Sequence, residues 1–254
     1  MSIWNSQSIQ FVWFPKSVEH IDADQLYQSL VGQPPDNFQR SKAPSPRMPF
    51  LSLATGEFDN KSFTVQVNPA RVDLIANATP NVDGDPDVDI SIDTVGTIEY
   101  LLARVKAGSA SSIKQNTRLA IAVHLIKQMP DLPASVSSIF ESCDISMNAD
   151  GYSDVNVQMN KRKVLENGAS INRLIRFATE VHRAFTLSID PSTGPQVSDI
   201  PVGSEKILSA LHLDFNTIPD GNEIPDSSTF TILAQIADEL IRVGSSARTS
   251  ALEE

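Results

Sequence analysis

The chain has a single cysteine, Cys143, so it cannot close an intramolecular disulfide. No apolar run is long enough to cross a bilayer, and the N-terminal stretch "MSIWNSQSIQFVWFPKSVEH" lacks the basic segment and long apolar core of a secretory signal. These absences point to a reducing, cytoplasmic setting. Basic residues are also scarce. Twenty lysines and arginines stand against 31 acids, a formal charge of -11 that repels phosphate backbones and makes nucleic acid a poor partner. The sequence holds no G-x-S-x-G elbow, glycine-rich phosphate loop, dinucleotide fingerprint or H-E-x-x-H pair. The common catalytic templates are therefore missing, and no catalytic residue, metal ligand or cofactor is assigned.

What is present is a recurring order of apolar alternating strand, polar loop and amphipathic helix. With 254 residues, 41% of them hydrophobic, the chain can bury a sizeable core without staples. "SIQFVWF" reads as a strand and "DADQLYQSLVG" as a helix capped by Asp22 and ended by Gly32. After the proline-rich linker "QPPDNFQRSKAPSPRMP", three strands follow, "FLSLATGEF", "KSFTVQVNP" and "RVDLIANA", with Asp59-Asn60 turning between the first two. "TVGTIEYLLARVKAG" predicts a helix capped by Asp93 or Thr94, "TRLAIAVHLIKQMP" a long strand, and "ASVSSIF" a short helix. In the second half, "SDVNVQMN" and "LHLDFNTIP" read as strands. They precede helices expected over 171–185, on the spacing of Ile171, Leu174, Ile175, Ala178, Val181 and Phe185, and over "STFTILAQIADELIRVG". Asp154-Val155-Asn156 and Asp214-Phe215-Asn216 align loosely, as an internal duplication would.

The fold class expected is α+β, a largely antiparallel sheet covered on one face by amphipathic helices. The organisation expected is two related halves, 1–145 and 146–244, followed by a flexible tail, 245–254.

The densest acidic stretch, residues 81–93, carries Asp83, Asp85, Asp87, Asp89 and Asp93. A calcium loop begun at Asp83 would need glycine where Val88 stands and a bidentate acid where Thr94 stands, so the stretch reads as an acidic loop feeding a helix. Pro35-Asp36 followed by Asp59-Asn60-Lys61 resembles the proline-aspartate and acid-x-lysine elements of restriction-type nucleases, but its second element falls in a hairpin turn. Cys143 lies between acids that raise a thiol pKa, and reads as a structural residue. Of the four histidines, His124 and His212 fall in expected strands where either could meet an acid, and the reading preferred for them is a histidine satisfied by backbone. The basic cluster in "NKRKVLENG", Lys161, Arg162 and Lys163, is expected as a solvated loop. As the one basic site of an acidic chain, it is the candidate for partner binding.

"RLAIAVHLIKQMPDLP" followed by "LHLDFNTIP" and a terminal helix resembles, in overall order, a sporadically distributed family of uncharacterised bacterial proteins of similar length. The chain departs from the family's "G-L-R-Y-I-N-R-I-x-x-P" at Ala122-Val123-His124-Leu125-Ile126-Lys127, and from its "L-D-I-D" at Phe215-Asn216. The resemblance carries over no catalytic residue, and its patchy occurrence implies a role in mobile or defence-related gene clusters. The function expected is a non-catalytic protein-interaction or structural subunit of a bacterial complex, with a protein partner or a second copy of itself. The alternatives are a metal-assisted hydrolase using dispersed carboxylates such as Asp73, Asp83, Asp85 and Asp214, and a small-molecule or peptide binder using a cleft between the halves.

Overall fold

The structure, a computed structural model, describes residues 4–42, 45, 48–79, 91–183, 186–190, 194–198 and 205–253. Of the acidic stretch, only Ser91–Asp93 falls among them; Asp83, Asp85, Asp87 and Asp89 lie outside. Eleven strands are described: β1 (Asn5–Pro15), β2 (Asn37–Arg40), β3 (Ser52–Phe58), β4 (Lys61–Asn68), β5 (Arg71–Ala78), β6 (Asn116–Met129), β7 (Asn156–Val164), β8 (Ser170–Arg183), β9 (Thr186–Asp190), β10 (Gly194–Ser198) and β11 (Glu205–Thr217). The helices are α1 (Ala23–Val31), α2 (Thr94–Lys106), α3 (Leu132–Ser142) and α4 (Asp226–Ser246).

Nine strands form one antiparallel sheet in the order β2-β3-β4-β5-β1-β6-β11-β8-β7, and β9 and β10 pair with each other. The fold is α+β. Alternation decides which way each strand faces. Phe11 and Trp13 of β1, Leu119, Ile121 and Val123 of β6, and Leu211, Leu213 and Phe215 of β11 are buried in one core with Leu26, Ile98, Val136, Ile236 and Leu240 of the four helices. The helices therefore cover one face. Gln10, His124, His212 and Asp214 alternate with those residues and belong to the other.

Helix ends follow sequence chemistry. Asp22 accepts a hydrogen bond from the Asp24 amide at 3.0 Å, Asp93 from Gly96 at 3.1 Å and Asp131 from Ala134 at 2.8 Å, each satisfying a donor that the first turn leaves open. Gly32 ends α1 at φ 88°, a left-handed conformation that costs glycine little. Gly244 of α4 faces Leu213, where an added Cβ would come within 3.1 Å of its Cδ1, so the missing side chain lets α4 settle closely on β11.

Three expectations are corrected. Residues 171–183 form strand β8 instead of a helix, and Phe185 lies outside the described residues. Its apolar residues fit both periods, but Ile171, Arg173, Ile175 and Phe177 are buried in strict alternation. It pairs along its length with β7 and β11. This removes the proposed strand–helix duplication, since Asp154 precedes a hairpin while Asp214 lies within β11. Lys161, Arg162 and Lys163 lie in strand β7, and the turn falls later, at Glu166-Asn167-Gly168, where the Leu165 amide donates to the Ala169 carbonyl at 2.8 Å. Residues 245–253 also differ from the flexible tail expected over 245–254, whose last residue lies outside the described ones. α4 runs to Ser246, and a 3-10 turn at Thr249–Leu252 buries Ala251 and Leu252. Arg173 holds that turn through the Leu252 carbonyl at 2.6 Å, and Arg242 through the Ala251 carbonyl at 2.9 Å.

Residue 145 falls between α3 and β7, but the sheet runs through both halves: β6 of the first lies between β1 and β11.

Candidate functional site

On the other face, free of helices among the described residues, β6 and β11 pair so that His124 and His212 stand directly opposite each other. Their rings stack with centroids 4.1 Å apart and planes 8° from parallel. Glu180 reaches the pair from β8, on the far side of β11. Its Oε1 lies 3.0 Å from His212 Nε2 and 3.5 Å from His124 Nε2, while His182 Nε2 approaches Oε2 at 3.3 Å. Only the shorter Oε1 contact is a well-formed hydrogen bond. His124 Nε2 is buried and has no hydrogen-bond partner.

The imidazoles of His124 and His212 hold the Glu180 carboxyl well below its ordinary range, against burial, which would raise it. A carboxyl depressed on folding stabilises the native state above its unfolded pKa, near 4.5, and loses that contribution as pH falls below it. The stability difference between the protein and Glu180→Gln is accordingly expected to be fully open above about pH 4.5 and to narrow towards pH 3. Urea titrations across that range check it, and a difference that does not change with pH would mean the carboxylate is not held.

The remaining candidates are distributed differently. Asp73 is buried and already accepts from Gln10 and Arg71, each at 2.8 Å, and from Asn68 at 2.9 Å. Three strand spacings, roughly 14 Å, separate it from Asp214, so these two carboxylates do not converge. Asp36 accepts from the Glu57 amide at 2.9 Å, and Asp59 pairs with Lys61 at 2.6 Å. Cys143 is buried, and burial together with Asp144 pushes its thiol up to about 11, away from thiolate chemistry. His20 Nε2 lies 3.1 Å from the Ser112 carbonyl oxygen, which fits the backbone-satisfied reading made for His124 and His212. Those two depart from it. A cleft of about 370 Å³ opens between α2 and α4 over the sheet, lined by Trp4, Val95, Leu125, Leu213, Leu240 and Ile241.

The basic triplet is split by the strand that carries it. Lys161 pairs with Glu253 at 2.5 Å and Lys163 with Glu239 at 2.8 Å, both on the helix side, whereas Arg162 alternates to the other face and is exposed. Glu239 also receives Arg173 at 2.5 Å and Arg242 at 2.8 Å. Burial raises its pKa, but hydrogen bonds from Arg242, Lys163 and Arg173 outweigh that and bring it down to about 2.

No helix among the described residues is long and apolar enough to cross a membrane. No family model, curated protein or solved structure matches this chain.

Proposed function

We propose that this chain is a non-catalytic interaction subunit of a bacterial cytoplasmic complex, and that an extended segment of a protein partner joins it along β7. The observation supporting this is the position of β7, a nine-residue strand that ends the nine-stranded sheet and, among the described residues, pairs with β8 alone. An edge strand directs alternate backbone N–H and C=O groups outward, a template on which another chain can add a strand. Met159 and Val164 are exposed along it, Val164 by 66%. With Lys161 and Lys163 engaged by Glu253 and Glu239, Arg162 is the cation best placed to meet an acidic side chain of the partner. A role in a mobile or defence-related gene cluster, as the bacterial family resemblance implies, belongs to the same proposal.

Reversing all three charges would break two internal ion pairs, so the informative variant is Arg162→Glu with Val164→Lys. It is expected to keep the melting temperature and to retain a co-purified partner at least about tenfold less tightly, a loss of roughly 1.4 kcal/mol. Arg162→Glu alone should slow association at low salt. Unchanged retention by the double variant would move the partner to another surface.

A further inference from the structure

The geometry points to a divalent transition-metal site of the zinc class at His124, His212 and Glu180, with the two Nε2 atoms and Glu180 Oε1 as ligands. This site stands independently of the reading of β7. The three ligand atoms lie within 4.8 Å of one another. Two imidazole nitrogens and one carboxylate oxygen suit zinc, cobalt or nickel, whereas calcium and magnesium take oxygen. Ligands bound tetrahedrally at about 2.05 Å stand roughly 3.3 Å apart, and the observed contacts of 3.0 and 3.5 Å to Oε1 bracket that separation.

Two further observations separate this from a histidine pair that merely packs. Both Nε2 atoms approach the same carboxylate oxygen, and because an imidazole lone pair lies in its ring plane, the nearly parallel rings would tilt towards each other to share one ion. Direct cross-strand register fixes that arrangement in the backbone. His212 hydrogen-bonds Oε1, whereas His124 Nε2 is buried without a hydrogen-bond partner at the cluster, a polar atom that a bound cation would satisfy. His182, on Oε2, would steady the carboxylate from behind, as groups behind metal ligands commonly do. The three ligand side chains remain 21–26% exposed, which gives an ion a route in and leaves a coordination position for water.

The test is titration of the full-length, chelator-stripped protein with Zn2+ near neutral pH, followed calorimetrically, and with Co2+, followed by its visible absorption. One equivalent of each is expected to bind, with Ca2+ giving no signal. His124→Gln and His212→Gln are each expected to weaken Zn2+ binding by at least about 100-fold, since even groups behind the ligands cost roughly 10- to 100-fold. His20→Gln should bind as the unsubstituted protein does. Should a variant fail to fold, diethylpyrocarbonate modification of the unsubstituted protein gives the same answer, with Zn2+ protecting His124 and His212 and leaving His20 reactive. Absence of stoichiometric Zn2+ binding, or binding that survives in the folded His124→Gln/His212→Gln double variant, overturns the site.

Discussion

Arg173→Ala is expected to destabilise the protein by about 3 to 5 kcal/mol, the cost of removing one partner from a buried ion pair. Its guanidinium, 3% exposed, bonds Glu239 of α4 and the Leu252 carbonyl of the terminal turn. Truncation leaves the carboxylate of Glu239 with Lys163 and Arg242 but opens a hole between strand and helix, and it frees the C-terminal turn from β8. Leu174→Ala, one position along, should cost far less, because Leu174 alternates to the face opposite the helices and is only half-buried. A docked helix over these residues would give the reverse ranking, with Leu174 inside and Arg173 in solvent. Chemical denaturation of the two variants therefore tests the strand assignment as well as the ion pair, and a larger loss at Leu174 would sink both.

That pair of residues also explains where sequence reading stops. Ile171, Leu174, Ile175, Ala178 and Val181 satisfy helical spacing, and the rival alternation is visible only if Arg173 counts as an inward position. It does so because Glu239, 66 residues away, neutralises it, and no local pattern reports that partner. Where the inward residues are apolar, as at Leu119, Ile121, Val123 and Leu125 of β6 and Leu211, Leu213 and Phe215 of β11, alternation and structure agree. Helix ends were legible for the same local reason: Asp22 and Asp93 need only a neighbouring amide two or three residues on.

The histidine pair was half legible. His124 sits between Val123 and Leu125, and His212 between Leu211 and Leu213, so their parity already turns both away from the core. Their meeting depends on the pairing of β6 with β11, strands separated by 75 residues or more. Glu180 was hidden altogether, since a helical reading of 171–185 places it on a solvated face instead of beside the imidazoles. The basic triplet shows the converse. Three consecutive cations look like one patch in sequence, but a strand sends Arg162 to the face opposite Lys161 and Lys163.

Phe215→Ala is expected to cost about 3 to 5 kcal/mol, the usual loss for a fully buried phenylalanine, because transfer of the ring and the cavity left behind both count. Phe215 is 0% exposed on β11, a strand flanked by β6 and β8 beneath the helices. Phe38→Ala removes the same ring from β2, where it is 42% exposed, and should change stability by less than about 0.5 kcal/mol. Tryptophan fluorescence makes the comparison sharper, because Trp4 and Trp13, the chain's two tryptophans, both precede residue 145 while Phe215 follows it. Trp13 and Phe215 belong to one buried cluster, in a sheet where β1 and β11 flank the same strand, β6. The fluorescence transition in urea should therefore move to lower midpoint with unchanged slope in Phe215→Ala, in step with loss of far-ultraviolet circular dichroism. A fluorescence transition that stays in place while the dichroism shifts would mean that residues 1–145 unfold apart from the rest, and that the continuous sheet does not couple them.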